Sequence, residues 1–478
     1  MLFNSGVFFL FFVIVYTAYL LLYKKNHWQN VLLLIASYIF YGSWDWRFLS
    51  LIIISTLVDF YIGQAIARTP GDTVIGQTYR KRLLALSVGV NLGILGFFKY
   101  FNFFADSVVA VLGYLGLQAD PITLNVILPV GISFYTFQTM SYSIDIYRQR
   151  LLPTKSLLNF AVYVAFFPQL VAGPIERAVN LLPQIEEPRR ITAAQISTGL
   201  YLLLWGYFKK IVVADNAGLV ADRVFNNYTT HTDLNVLVGI LAFALQIYGD
   251  FSGYSDIARG LSRLMGFELM VNFRLPYFAL NPTDFWNRWH ISLSTWLRDY
   301  LYIPLGGNRE GKWQTYRNLM VTMLLGGLWH GAAWHFVIWG GYHGLILILY
   351  RLFEKRPIHK NPWGGDYNYL VVLLRMAFMF VLTLIGWLIF RTPSLEQLWF
   401  MVTHTSLRTT AETPALLTSL ILFPAPFFVL ELYQYLSRDL LIFTKWPQII
   451  RVILYACLLI WLFIFGVREP IEFIYFQF

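Results

Sequence analysis

Apolar residues in this chain come in long blocks parted by short polar breaks, without the alternating or one-faced patterning of a soluble fold. GVFFLFFVIVYTAYLLLY (6–23), FLSLIIISTLVDFYIG (48–63), LALSVGVNLGILGFF (84–98) and LVVLLRMAFMFVLTLIGWLIF (370–390) are examples. Each approaches or reaches the roughly 20 apolar residues with which a helix crosses ~30 Å of hydrocarbon. The pattern predicts an all-α polytopic membrane protein with about ten or more spanning helices. No soluble domain, internal repeat or low-complexity linker interrupts it, so residues 1–478 read as a single integral membrane domain.

Two regions do not fit simple spanning. Residues 251–318 are too polar to cross and too aromatic for a free loop. Within them, FWNRWHISLSTWLRDYLYIPLGG (285–307) sets Trp286, Trp289, His290, Leu293, Leu297 and Leu301 at near-helical spacing. That spacing predicts an amphipathic helix at the cytoplasmic face. The second region, 319–350, is a long apolar hairpin with Arg317 before it and Arg351 after it. Its glycines 326, 327, 331, 340 and 341 allow a bend or close helix packing, and a re-entrant segment is one expected form. Irregular backbone at that depth must be buried in protein or line a cavity.

Composition supports the membrane reading. The chain is 57% hydrophobic and 13% charged, against about a quarter charged in a soluble domain. Its single cysteine, Cys457, excludes a disulfide framework or a cysteine metal site within one chain. The first apolar block lacks a basic leader and a clear cleavage site, so it is expected to be retained as a span.

The net charge of +10 raises the question of nucleic acid, and the distribution of the charge answers it. With the N-terminus outside, most of the 36 Lys and Arg fall in inner segments near 24–25, 68–82, 147–195, 251–318, 351–369 and 437–451. The positive-inside rule expects this asymmetry and the inverted topology violates it. Both termini are therefore expected outside the cytoplasm, and the charge reports topology, not a nucleic-acid surface.

Against this apolar background the polar residues stand out, because an ionisable group in a membrane usually faces a bundle interior or aqueous cavity. GGLWHGAAWHFVIWGGYHG (326–344) holds three histidines with no Lys, Arg, Asp or Glu. His330, after Trp329, is a candidate general base, since an imidazole kept neutral by burial can take and return a proton. The alternative is a structural histidine bonded to a helix carbonyl. His335 and His343 lie nearer the hairpin's exit and read as structural or interfacial. His290, beside Trp289, reads either as an interfacial polar residue or as a site residue, and Trp286, Trp289 and Trp296 as interface anchors or substrate contacts. Ser133, Tyr135, Gln138 and Asp145 interrupt the span at 129–150. Asp250 and Asp256 sit at a span's cytoplasmic end in LQIYGDFSGYSDIARG. Each of these lines a pathway or serves packing. Glu176 and Arg177 follow the break in PQLVAGPIER on the same two terms. No P-loop, GxSxG or HExxH is present, and spacings of five and eight keep His330, His335 and His343 off one helical face, so no metal site is expected.

PVGISFYTFQTMSY, LVAGPIER, YGDFSGYSDIARG, NPTDFWNRWHISLSTWLRDYLYIPLGG and LLGGLWHGAAWHFVIWGGYHG, in this order, resemble the membrane-bound O-acyltransferase family. They are most similar to its bacterial branch, which includes the alginate O-acetyltransferase membrane subunit and the D-alanyl transfer protein of lipoteichoic acid synthesis. The matching blocks cover roughly 125–345, and MLFNSGVFFLFF and FIYFQF at the two ends also look like the alginate-type members.

The resemblance implies a ring of helices around a buried catalytic histidine, with His330 in that role and His290 at the second active-site position. It implies no permanently bound cofactor and a cytoplasmic acyl donor, acetyl-CoA in the alginate-type branch or a carrier-protein thioester in the D-alanine branch. It further implies an extracytoplasmic acetyltransferase partner, a polysaccharide acceptor and residence in the bacterial inner membrane. Ser133, Gln138, Asp250, Trp286 and Trp329 are the substrate-pathway candidates. Arg288, Arg298, Arg309 and Lys312 form a basic inner face that either attracts donor phosphates or only sets topology. Two other classes compete: a polysaccharide or lipid-precursor transporter, and a scaffold using FIYFQF as a docking surface. The chain lacks the paired, interrupted halves usual in transporters.

Overall fold

The computed structural model describes residues 1–117, 124, 127–171, 173–353, 369–469 and 471–476. Most of the inner segment expected near 351–369 therefore lies outside the described residues. Those described form helices, turns and irregular connections, with no strand among them, as a backbone in hydrocarbon requires.

Seven helical stretches among them are long and apolar enough to cross a membrane. Counting the pair Thr413–Leu422 and Ala425–Ser437, bent by 48°, as one broken span makes eight. This criterion does not reach the expected ten or more. Two of the seven, Asn26–Arg68 and Val74–Tyr114, run to 43 and 41 residues, about twice one crossing. Asp45 is extended (φ −159°, ψ 111°) and divides the first into Asn26–Asp45 and Leu49–Arg68, the latter taking in nearly all of the apolar block at 48–63. The block at 6–23 forms the 16-residue helix Gly6–Leu21, shorter than a full crossing.

By its contacts the chain clusters into two compact units, Met1–Gly199 with Ala258–Met270, and Leu200–Ile257 with Val271–Phe478. In the first, a buried polar knot holds three helices. The Asp59 carboxylate accepts from Ser87, from Asn91 Nδ2 at 2.7 Å and from Ser143 at 2.9 Å, while Ser55 bonds Asn91 and Thr139. A carboxylate carried into apolar surroundings needs donors of this kind.

The second unit carries both singled-out histidines. Its Lys312–His330 and Trp334–Phe353 helices pack as a hairpin through glycine. A Cβ on Gly327 would stand 2.2 Å from the Phe336 carbonyl oxygen, and one on Gly340 would stand 2.3 Å from that of Met323. Only glycine permits so close a backbone approach. At 19 and 20 residues, each arm is about 28–30 Å long, and of the two Trp334–Phe353 is among the seven stretches long and apolar enough to cross.

The continuous amphipathic helix expected over 285–307 is absent. Two seven-residue helices, Pro282–Arg288 and Ile291–Leu297, flank a break at Trp289 and His290, and a π-helical turn follows over Arg298–Tyr302. Trp289 and His290 are 1% and 0% exposed, so neither is an interface residue.

Candidate active site

His290 owes its position to a strained turn. Its φ of 42° and ψ of 54° lie in the left-handed region, which costs a side-chain-bearing residue of order 1–3 kcal/mol. Asn272 holds the turn: its carbonyl accepts from Ile291 N–H at 2.9 Å, and its Oδ1 accepts from Ser292 N–H at 3.2 Å and Ser292 Oγ at 2.9 Å. The same Oδ1 lies 3.2 Å from His290 Nδ1. An oxygen already accepting from a backbone N–H can only accept from the ring, so His290 carries its proton on Nδ1 and a lone pair on Nε2. Burial pushes this imidazole down to about 3, keeping it neutral.

His330 ends the first hairpin helix, where extended Gly331 (φ −161°) breaks the run. The ring is 3% exposed and is walled by Trp339, Trp329 and Phe390, with centroids at 5.0, 5.1 and 5.7 Å. The His290 ring centroid is 6.4 Å away, so the two imidazoles that sequence alone set 40 positions apart share one pocket of aromatic rings. Trp329 stands against both histidines. His343 packs among Phe285, Trp286 and Trp339, as a structural residue does.

Sequence reasoning missed a group in hydrogen-bond reach of His330. Tyr475 Oη lies 3.2 Å from His330 Nδ1. Its segment, which the scaffold alternative treats as a docking surface, is folded inward: Phe473 and Ile474 are 0% and 1% exposed. Phe251 lies against both Tyr475 and His290, at 4.5 and 4.6 Å between centroids. Burial raises the Tyr475 phenol above its ordinary value, so it yields a proton only to a base in contact. The available signal was the polar hydroxyl within FIYFQF, but nothing in the sequence links it to a residue 145 positions away.

A cavity of about 210 Å³ reaches His330. Trp286, Ser294, Thr322 and Trp339 help to line it, as do Arg298 and Arg351. His290, Trp329 and Asp250 are not among its lining residues. Of the basic residues on the expected inner face, Arg288 is paired with Asp284 and Arg298 with Asp299, each at 2.7 Å.

The other pathway candidates have structural partners. Ser133 and Gln138 belong to the first unit, where Lys99 Nζ lies 3.4 Å from Ser133 Oγ and Gln138 Nε2 donates to the Tyr163 carbonyl at 2.5 Å. Asp250 is buried, 2.9 Å from Lys210 Nζ, and accepts from Ile474 N–H at 2.7 Å.

A histidine on a cavity, with a hydroxyl at its ring nitrogen and set within apolar helices, is the arrangement of a polar site inside a membrane-embedded protein, where such groups mark function. The family model for membrane-bound O-acyltransferases matches residues 146–390. A probable alginate O-acetylase of Pseudomonas putida is 46% identical over 401 residues, 83% of this chain and 78% of the relative. A peptidoglycan O-acetyltransferase of Helicobacter pylori is 34% identical over 429 residues, 83% of this chain and 78% of the relative. A teichoic acid D-alanyltransferase of Bacillus subtilis is 30% identical over 258 residues, 52% and 63% of the two chains. This chain belongs to the membrane-bound O-acyltransferase family and is a multi-pass membrane O-acyltransferase.

Proposed function

We propose that this enzyme takes an acetyl group from a cytoplasmic thioester, acetyl-CoA, and passes it towards hydroxyls of an extracytoplasmic polysaccharide. A partner acetyltransferase outside the bacterial inner membrane completes the transfer, and both termini of the described fold face that side. The carrying observation is that His330 borders the cavity while its Nδ1 meets a hydroxyl at 3.2 Å. The names of the relatives support acetyl over other acyl groups and a glycan over a small-molecule acceptor. Arg298 and Arg351 on the cavity wall suit the phosphates of a charged donor.

In the step that fits, His330 removes the proton of an attacking hydroxyl, the oxygen bonds to the thioester carbonyl carbon, and the C–S bond breaks. The thiolate then takes the proton from the imidazolium, and an ester and a free thiol leave. Enclosure protects the thioester from bulk water. The Tyr475 bond has two assignments with different consequences. If the phenol donates, Nδ1 is the base and Tyr475 is the first hydroxyl in reach of the acyl carbon. If Nδ1–H donates, Tyr475 fixes the tautomer and Nε2 is the base. His290, with its proton fixed on Nδ1 by Asn272, assists proton transfer through the same enclosure.

The test is thiol release from acetyl-CoA by the wild type and His330→Ala in liposomes, with equal thermal stability checked. Turnover is expected in the wild type and loss of about 10²–10⁴-fold in the variant, the usual worth of a positioned base. Equal turnover in both sinks the assignment of His330. Silence in both, with activity on a D-alanyl carrier-protein thioester, replaces the donor and leaves the site in place.

A further inference from the structure

The hydroxyl at His330 sits on a segment with little structure of its own, a single turn over Ile474–Phe476. What holds that turn is remote in sequence. Lys210 lies in a π-helical turn, Phe208–Ala214, which packs on the Leu234–Leu264 helix with backbones touching. A Cβ on Gly206 would stand 2.8 Å from the Gly253 carbonyl oxygen, and one on Gly253 2.9 Å from that of Gly206. At this approach Lys210 Nζ, 1% exposed, reaches Asp215 Oδ1 at 2.8 Å and Asp250 Oδ1 at 2.9 Å. The other Asp250 oxygen, Oδ2, accepts from Ile474 N–H at 2.7 Å. The next residue of the π turn, Ile211, accepts from Val467 N–H at 3.3 Å, upstream of the 471–476 segment. Aromatic rings complete the seat: Phe473 lies on Tyr254 and Tyr475 on Phe251, each with centroids 4.5 Å apart.

We infer that Asp250, held by Lys210, is a positioning residue that anchors the 471–476 segment through Ile474 N–H and so keeps the Tyr475 hydroxyl on His330. A buried carboxylate needs a cation and donors to stay ionised, and a charged acceptor grips an amide more firmly than a neutral one. Lysine fixes one carboxylate oxygen; the amide takes the other. The sequence marks Asp250 as a pathway residue, whereas its side chain is spent on an ion pair and a backbone bond. This inference rests on the reading of Tyr475 and His330 as the reacting pair, and the experiment separates the two.

Ile474→Pro deletes the N–H and leaves the Lys210, Asp215 and Asp250 side chains untouched. Proline is tolerated at the first position of a helical turn. Ile474→Val keeps the N–H and is the control; Asp250→Asn is the second variant should proline disturb folding. Relative to the control, kcat for thiol release from acetyl-CoA is expected to fall about tenfold or more with KM within about twofold, the loss of one charge-assisted bond acting through orientation. On a Tyr475→Phe background the same change is expected to cost nothing further, because the anchor then has no hydroxyl to place. Hydrogen exchange at 471–476 is expected to accelerate in Asp250→Asn while the 312–353 hairpin stays protected, a readout that does not need turnover. Unaltered exchange and kcat, or a full additional loss on the Tyr475→Phe background, overturns the anchor. Full activity of His330→Ala or Tyr475→Phe alone instead overturns the reacting pair.

Discussion

Asparagine tolerates the left-handed conformation that His290 adopts, so His290→Asn separates the backbone role of this position from its ring. The variant is expected to fold and to lose activity. It also tests the burial of the imidazole. The folded-state value of about 3 lies below the ordinary 6.5, so the unfolded chain takes up the proton first. The stabilising contribution is whole above pH 6.5 and is lost as pH falls from there towards 3. Tm measured from pH 7.5 to 4.5 is expected to fall more steeply in the wild type than in His290→Asn; parallel curves remove the claim. Tyr475→Phe decides the direction of the hydrogen bond at His330. Loss of turnover as severe as in His330→Ala marks the phenol as the hydrogen-bond donor that takes the acyl group, and a loss of about tenfold marks it as the hydrogen-bond acceptor that fixes the tautomer. The histidines were legible in the sequence because charge-bearing rings are costly in apolar runs. Asn272 and Tyr475 were not, since an asparagine in a connection and a tyrosine in an aromatic stretch look ordinary until the fold sets them on a ring nitrogen.

Helix packing in the hairpin is settled by which glycines meet backbone. Gly340→Ala would drive a methyl to 2.3 Å from the Met323 carbonyl oxygen, whereas Gly341→Ala meets only Leu324 Cδ2 at 3.5 Å, an ordinary contact. The first is expected to destabilise by about 1–3 kcal/mol through overpacking and to reduce turnover by displacing His330. The second is expected to be neutral or slightly stabilising, since alanine is the better helix former. Thermal melts of the purified pair check this, and equal Tm values refute the close approach. The hairpin itself was visible in the sequence as an apolar run with basic flanks and glycines. The segment 285–307 was not, although its Trp and Leu spacing suits a helix. Periodicity registers side-chain pattern alone and takes no account of Asn272, which captures two consecutive backbone N–H groups after His290 and breaks the helix there.

Across the whole chain, orientation follows from charge. On a Cys457→Ser background, Asn308→Cys is expected to react with an impermeant thiol reagent only after the inner face is opened, and Thr409→Cys in intact cells. Both positions are exposed on polar connections. The reverse pattern inverts the topology. Membrane residence and most spans were legible because hydropathy over some twenty residues is a local property. The division into two units was not, because it depends on contacts between distant segments. The same distance sets a timetable. His330 and Tyr475 are 145 residues apart, and a chain grows at about 5–20 residues per second, so roughly 7–30 s pass between the synthesis of one and the other. Throughout that interval the nascent chain holds the His330 imidazole without the Tyr475 hydroxyl, so the proposed reacting pair cannot form until residue 475 has been made and seated.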